Sequence, residues 1–373
     1  MPTIDFLLPT PLQGSGGHRT IVANAEALAS VGHRVRLHVQ ESRRMRNVVR
    51  KTVEWHGVQQ CETSLGWPAS LPDSDAVVAT TWFTAGPVAA MRTTARRLYF
   101  VQDYEPLFFP AGDLAVVAGA SYDLGLKTLV IGHWLQHKLA ADHAVRAWSV
   151  PFTADLSVYA VSEDRRRPRI VAIYQPDKPR RCSELVCETL RRLMDRSPVE
   201  VVTVGSERGP SLGARHRHLG LVSKSALANL YRTSYAGLCL SASNPSRVPF
   251  EMMACGLPVV ELGLANNIYD LPGDGCLLAR PDPQSLTEAL VTLAEDEIMR
   301  SDLSSGGAEY MRARPQVAEA EAFVRFIEGH IAGDIPAARA TGPVYTGDPI
   351  VVAPTDAWSP AGQRSIISRL TRD

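Results

Sequence analysis

The chain has 373 residues, and at roughly 100–200 residues per domain that length fits two domains. Hydrophobic residues make up 45% and charged residues 21%, which excludes a wholly disordered, collagen-like or coiled-coil chain. Lys+Arg and Asp+Glu both number 39, so the formal net charge is zero and nothing global draws the chain to nucleic acid.

The predicted elements alternate in chain order. A short apolar strand at 4–9 stops at Pro-Thr-Pro, and the loop 12–17 follows. Residues 18–31 read as a helix with Ile21, Val22, Ala25, Leu28 and Ala29 on one stripe. Gly32 ends it at the left-handed cap position. Further strands are expected at 35–39, 76–80, 98–102 and 128–131, with helical patterns near 86–94 and 134–143. Strand, loop and helix repeated in this way predict a parallel, doubly wound sheet.

Residues 160–169 (AVSEDRRRPR) are charge-dense and read as an interdomain linker. The pattern then restarts, with strands at 170–174, 199–205, 237–240 and 258–262. Helices are expected at 183–194, 225–232, 249–255 and from 283 onward. A long helix at 317–331 closes the pattern, and 334–373, rich in Pro, Ala, Gly and Thr, reads as an irregular tail or linker. The expected parts are 1–160, 161–315, a helix at 316–332 and the tail 333–373. Ligands of such sheets bind beyond the carboxyl ends of strands. Chemistry is therefore expected on the loops after Pro9, Gln102, Tyr174, Gly205 and Ser241.

The cations are lopsided. There are five lysines (Lys51, Lys127, Lys138, Lys178 and Lys224) and the rest are arginine, so an anion site must rest mostly on arginines, backbone amides or helix ends. The six cysteines form no CxxC pair and no zinc spacing, and Cys239 and Cys255 lie in apolar runs as small core residues. A reducing compartment is the expectation. The opening MPTIDFLLPTPLQ lacks a basic n-region and reads as a buried strand rather than a signal peptide. No apolar run approaches the roughly 18 residues that spanning a membrane requires.

The segment from Ser241 to Val260 is the most informative. A buried strand runs into a polar turn, then into a short helix with Pro249 in its first turn. A helix start leaves amides unpaired, so those of Arg247 to Phe250 are expected free, and with the positive helix end they make a phosphate cradle. Arg247 adds a charged fork, and Glu251 can accept from the two vicinal hydroxyls of a ribose. A capped helix with a surface glutamate fits the same residues, and the pattern alone leaves both open.

Other segments are weaker signals. Gly14-x-Gly16-Gly17 is not GxGxxG, and Glu41 lies just beyond the second strand, so the loop is either a tight turn or a phosphate approach. Asp103 and Glu105 follow a strand, where a carboxylate can take an acceptor proton, worth typically about 100- to 10,000-fold in rate. A helix cap or a salt bridge is the alternative there. Asp73-Ser74-Asp75 imitates a metal-binding DxD but precedes a strand, as a polar turn does. His133 and His137 lack the glutamate of HExxH, so no metal is expected. Arg43, Arg44, Arg46, Arg50 and Lys51 form a basic run, either a solvated face or a dock for anionic lipid.

The run Val248-Pro249-Phe250-Glu251-Met252-Met253-Ala254-Cys255-Gly256-Leu257-Pro258-Val259-Val260 resembles the signature of GT-B glycosyltransferases. The resemblance is to family 4, in its bacterial rhamnosyltransferase branch acting on surface polysaccharides. Gly16-Gly17-His18-Arg19-Thr20-Ile21 and Tyr99-Phe100-Val101-Gln102-Asp103-Tyr104-Glu105-Pro106 are similar to the same branch, and the likeness runs through about residues 1–332. It implies an α/β GT-B fold, two Rossmann-like domains facing across a cleft, with the 316–332 helix packing back toward the N-terminal domain.

The resemblance also implies an activity. A sugar, with L-rhamnose the expected one, moves from a nucleotide-diphosphate donor (dTDP-L-rhamnose) to a hydroxyl of a glycan or lipid-linked glycan acceptor. The setting is surface polysaccharide or O-antigen synthesis, with retention of configuration. No cofactor, metal or nucleic acid is implied. The expected location is cytoplasmic, with peripheral contact at the inner face of the membrane. Asp103 is implied as base, and Arg247 and Lys178 as stabilisers of the departing diphosphate. Donor contacts fall to Gly16, Gly17, Tyr174, Gln175, Arg180, Gly205, Asn244, Ser246, Val248, Pro249, Phe250 and Glu251; acceptor contacts to His18, Arg19, Tyr104 and Glu105.

Two positions depart from the family. Of its paired glutamates the second maps to Glu251, but the first falls at Ser243. Gln175 stands where an arginine is expected, with Lys178, Arg180, Arg181 and Arg247 near enough in sequence to compensate. These departures keep two rivals open: a non-catalytic relative that scaffolds a polysaccharide complex, and a sugar-nucleotide epimerase of similar fold.

Overall fold

The computed structural model describes residues 1–335, 338 and 341–353. The chain divides into two units, Met1–Pro151 with Val317–Thr341, and Phe152–Gln316 with the segment from Gly342.

The first unit is built on a parallel sheet of seven strands: β1 (Thr3–Leu8), β2 (Arg34–Val39), β3 (Glu62–Leu65), β4 (Ala76–Ala79), β5 (Arg96–Val101), β6 (Lys127–Ile131) and β7 (Trp148–Val150). They lie in the order β3-β2-β1-β4-β5-β6-β7. Strands β1 and β4 are apolar runs buried on both faces, as a parallel sheet covered by helices demands. The helices are α1 (Gly16–Ser30), α2 (Val48–His56), α3 (Trp82–Ala90), α4 (Asp113–Ala120) and α5 (His133–His143). Ser15 caps α1, its Oγ accepting from the His18 amide at 3.3 Å. Helix α3 starts earlier than the sequence predicts. Thr81 and Thr84 form a capping box, and Pro87 lies inside the helix rather than at its first turn. A buried Asp5 takes two 2.7 Å bonds from Arg36 and one of 2.6 Å from His38, both on β2. Burial opposes its ionisation, but these donors outweigh it and lower its pKa.

The second unit carries six parallel strands: β8 (Arg169–Ile173), β9 (Glu200–Val204), β10 (His216–His218), β11 (Ala236–Leu238), β12 (Val259–Leu262) and β13 (Cys276–Ala279). Their order is β10-β9-β8-β11-β12-β13. Its helices among the described residues are α6 (Ser183–Arg196), α7 (Lys224–Arg232), α8 (Val248–Ala254), α9 (Ala265–Ile268), α10 (Pro283–Glu295) and α11 (Glu297–Arg312). The last helix among the described residues, α12 (Gln316–Ala332), belongs almost wholly to the first unit. Its Phe323 stacks on Phe6 at 6.1 Å and meets Phe100 edge-on at 5.0 Å.

The division falls upstream of the charged segment, between Pro151 and Phe152. Phe152 stacks flat on Phe250 at 4.4 Å, which commits it to the second unit. Residues 160–168 lack regular structure, yet Arg166 is anchored on the Gly256 carbonyl and on Ser304 Oγ, at 2.8 Å. Residues 341–353 form no helix or strand but are fastened down. Ile350 bridges to Ala279, and Tyr345 Oη accepts from the Leu278 amide at 3.3 Å. No helix among the described residues is long and apolar enough to cross a membrane.

Candidate functional site

The strand order of the second sheet reverses between β8 and β11, because β9 lies on one side of β8 and β11 on the other. Loops leaving neighbouring strands in opposite directions open a crevice at their carboxyl ends, where ligands of such sheets bind. Here those loops are 174–182 and 239–247.

Two bonds tie the loops together. Arg181 Nη1 donates to Ser241 Oγ at 2.6 Å, and the Ala242 amide donates to the Arg180 carbonyl at 2.9 Å. Beneath them is a buried polar bed. Asn266 Nδ2 donates to the carbonyls of Ser241, at 3.0 Å, and Ser243; Asn267 Nδ2 donates to the Leu262 carbonyl at 2.8 Å. Glu261 Oε1 accepts from the amides of Ser241 and Leu262 at 2.8 and 2.9 Å. Complete burial pushes the Glu261 carboxyl up to about 8, against the pull of those amides and of Arg181. The bed satisfies backbone groups that burial would otherwise penalise, and so holds the turn in one shape.

Most candidate donor residues gather on these loops. Tyr174 is half-buried and meets His218 edge-on at 6.2 Å. The Gln175 amide donates to Ser183 Oγ at 3.1 Å, while its side chain accepts from Lys178 Nζ at 3.4 Å. Desolvation, then Arg180 and Arg181, lower the Lys178 pKa. Gly205 has φ +109°, and a Cβ there would stand 3.2 Å from both Gln175 Cγ and the Tyr174 carbonyl oxygen. The loops after β8 and β9 thus touch, and glycine allows it.

Around α8 the structure corrects one expectation. The amides of Arg247 to Phe250 are not all free: Ser246 Oγ accepts from Val248 at 3.3 Å, and Pro249 has no N–H. Arg247 Nη1 reaches the Thr153 carbonyl and hydroxyl at 3.4 and 3.3 Å. Pro249 and Phe250 are buried, so their side chains set the helix and any ligand contact from them is through the main chain. Asn244 is also buried, within the turn. Glu251 is half-buried in the first turn of α8. Ser243 is fully buried, and a glutamate at that position would have to enter the polar bed.

In the first unit, Gln102 Nε2 donates to the Gly17 carbonyl at 3.3 Å, joining the ends of β5 and β1 through Gly16-Gly17. Asp103, half-buried beside it, accepts from the Tyr104 amide at 2.9 Å. Tyr104 stacks on Tyr122 at 5.5 Å, lies 3.1 Å from His143 Nε2, and is pushed up to about 12 by burial and Asp142. Two of the acceptor candidates also have partners within this unit. His18 is buried, lies 3.0 Å from Ser15 Oγ through Nδ1 and stacks on His56 at 4.9 Å; desolvation lowers both pKa values, that of His56 to about 4. Arg19 beside it is exposed. Glu105 caps α3, accepting from the Trp82 amide and, at 3.3 Å, from Tyr99 Oη.

The remaining motifs are local. Asp73 pairs with Arg36 at 3.1 Å and Asp75 accepts from the Thr3 amide at 2.7 Å, as a polar turn does. No acidic, histidine or cysteine group suited to a metal occurs among the described residues, His133 and His137 included. Arg43, Arg44 and Arg46 are exposed; Arg50 pairs with Glu54 at 3.0 Å, and Lys51 lies over Trp55. Sequence reasoning missed Glu261, Asn266, Asn267, Thr203 and His218. A carboxylate inside the apolar run Pro258–Leu262 was the one readable signal, since such residues are almost never buried without a partner.

Comparison with known proteins narrows the fold. Residues 168–291 match the family model "WsaF, C-terminal domain". Over 250 residues the chain is 33% identical to the O-antigen biosynthesis protein RfbC of Myxococcus xanthus, covering 65% of this chain. The match spans only 20% of that relative's length. Among solved structures, a sucrose-phosphate synthase from Thermosynechococcus elongatus superposes with a TM-score of 0.67 at 16% identity, over 89% of this chain and 100% of its own. Anabaena Alr3699/HepE in complex with UDP and glucose gives 0.65 at 16%, over 88% and 99%. WaaG, a glycosyltransferase involved in lipopolysaccharide biosynthesis, gives 0.56 at 15%, over 88% and 100%. The fold is that of the GT-B glycosyltransferases. Within it, the matched stretch 168–291 contains β8, β11 and both of the loops tied across the strand reversal.

Proposed function

We propose that this chain is a glycosyltransferase of surface-polysaccharide synthesis, transferring L-rhamnose from dTDP-L-rhamnose to a glycan hydroxyl with retention. The observation that carries the reading is the tie between Arg181 and Ser241 at the strand reversal, which gathers Lys178, Arg180 and Arg247 onto adjoining loops. The O-antigen relative supports the surface-polysaccharide setting, and the rhamnose choice rests on the resemblance to the rhamnosyltransferase branch.

Negative charge grows on the departing diphosphate, and preorganised cations aimed at it lower the barrier most. Lys178, Arg180 and Arg247 take that role, with Asn244, Ser246 and main-chain groups at 248–250 lining the diphosphate side. Glu251 accepts from the 3′-hydroxyl of the donor's deoxyribose. Tyr174, Gln175 and Gly205 form the nucleoside side. Asp103 takes the acceptor proton, with Gly16, Gly17, Arg19 and Tyr104 on the acceptor side. A lipid-linked acceptor would bring the exposed arginines Arg43, Arg44 and Arg46 to an anionic surface as a peripheral contact.

The test is a panel of nucleotide sugars read by thermal shift and by product detection. Stabilisation by dTDP-L-rhamnose, with dTDP released and a rhamnosylated product of unchanged anomeric configuration, is the expected result. A changed sugar without an acceptor would favour an epimerase. Ser243 and Gln175 favour one second reading, a non-catalytic scaffold, and binding without turnover would select it.

A further inference from the structure

Beside the candidate nucleoside loop lies a hydrogen-bond chain with a defined direction. Parallel pairing sets His218 opposite Thr203 and His216 opposite Val201, so both imidazoles share a face and flank the Thr203 hydroxyl. His216 Nε2 lies 2.8 Å from Thr203 Oγ1, and His218 Nδ1 lies 2.9 Å from the same oxygen. His218 Nε2 lies 2.9 Å from the Ser206 carbonyl.

A carbonyl can only accept, so His218 Nε2 carries a proton. In neutral His218, Nδ1 must then accept, and the Thr203 hydroxyl donates to it. That leaves the hydroxyl oxygen to accept from His216 Nε2–H. Partners rather than visible hydrogens assign these tautomers.

The chain grips the loop after β9. Ser206 is held by its carbonyl, and the Gly205 amide is held by Gly220 at 3.0 Å. At Gly209 a Cβ would fall 2.2 Å from His218 Cγ, so the loop folds back directly over the imidazole. On its other side the same imidazole meets Tyr174 edge-on at 84°, and Gly205 abuts Gln175. One ring therefore braces both the loop and the half-buried aromatic at the end of β8.

We propose that Thr203 and His218, aligned by His216, are positioning residues that fix the 205–209 loop and the Tyr174 ring as the seat of the donor's nucleoside. This rests on the donor reading above and deepens it. A half-buried phenol offers a stacking face, and a braced loop offers main-chain groups to a base edge without ordering cost on binding.

Calorimetric titration of dTDP and UDP against wild type, Thr203→Val, Thr203→Ser and His218→Phe tests it. Thr203→Val keeps the shape and removes the hydroxyl; it is expected to weaken dTDP binding roughly 10-fold, the effect of one unpaired buried partner. Thr203→Ser should restore it, and His218→Phe should match the valine. In steady state the loss should fall on donor KM, with kcat little changed. Undiminished binding by Thr203→Val would overturn the positioning role while leaving the donor reading intact. Failure of wild type to bind either nucleotide would sink the donor reading and this inference with it. Nitrogen-15 shifts of the wild-type imidazoles give a check that no variant's folding can confuse: at neutral pH His218 should be protonated at Nε2, and protonation at Nδ1 alone refutes the chain.

Discussion

The Glu261 carboxyl sits under the Ser241 amide, accepting its N–H at 2.8 Å through Oε1 while Oε2 is buried with no hydrogen-bond partner. A buried carboxyl in that position is better protonated than ionised, and burial accordingly lifts it to about 8. The native state thus keeps a proton that the unfolded chain, with an ordinary carboxyl, has lost. Stability from this group is full below about pH 4.5 and drains away as pH rises toward 8. Glu261→Gln keeps the acceptor and removes the titration. Melting temperatures measured from pH 5 to 8.5 should therefore separate, the variant gaining on wild type as pH rises. Parallel curves would mean that the carboxyl does not titrate in this window.

Asp103 and Glu105 are two residues apart in sequence, and the proposed function gives them different roles. Glu105→Gln weakens the cap on the Trp82 amide and should cost about 1 kcal/mol in denaturant unfolding, with turnover unaffected. Asp103→Asn should leave the melting temperature near wild type and cut turnover about 100- to 10,000-fold. An Asp103→Asn enzyme of normal rate would remove Asp103 from the chemistry.

Glu251, the proposed contact to the donor's sugar, can be tested apart from stability. Glu251→Ala should raise the dissociation constant of dTDP by about 10-fold or more, as loss of a charged hydrogen-bond acceptor does. A deoxyribose analogue lacking the 3′-hydroxyl should show a smaller difference between the two proteins. Equal affinity of wild type and variant for dTDP would refute the contact to the deoxyribose 3′-hydroxyl.

Gly205 is placed where no other residue fits. With φ at +109° and a would-be Cβ 3.2 Å from the Tyr174 carbonyl, Gly205→Ala should lose about 1–3 kcal/mol of stability. It should also weaken dTDP binding, because relief of the clash moves the Tyr174 loop. A shift in the urea midpoint without any change in affinity would take Gly205 out of the site and leave it a folding residue.

The basic run is tested by flotation with anionic liposomes. Co-flotation of wild type, abolished in the triple variant Arg43→Gln, Arg44→Gln, Arg46→Gln and by high salt, is expected. Recovery of both proteins in the unbound fraction would leave these arginines as a solvated face.

The alternation of apolar strand and striped helix is local, with a period of two against 3.6, and it is therefore written in the sequence. So are the two parallel sheets, the strand-end location of the loops, and the Pro249–Glu251 helix start. The partners of each side chain are another matter. Arg181 and Ser241 lie 60 residues apart, and only the placement of β8 beside β11 makes them neighbours. The bond from the Trp82 amide at the start of α3 to Glu105 also needs the tertiary structure. The stacking of His18 on His56 is equally invisible in the sequence. Helix α12 follows the second unit in sequence but joins the first, because Phe323 finds Phe6 and Phe100 there. Sequence alone determines which segments fold and at which strand ends a ligand can enter. Which carboxylates face that ligand and which pair with the chain itself is decided by register and packing, since burial cannot leave a polar group without a partner at no cost.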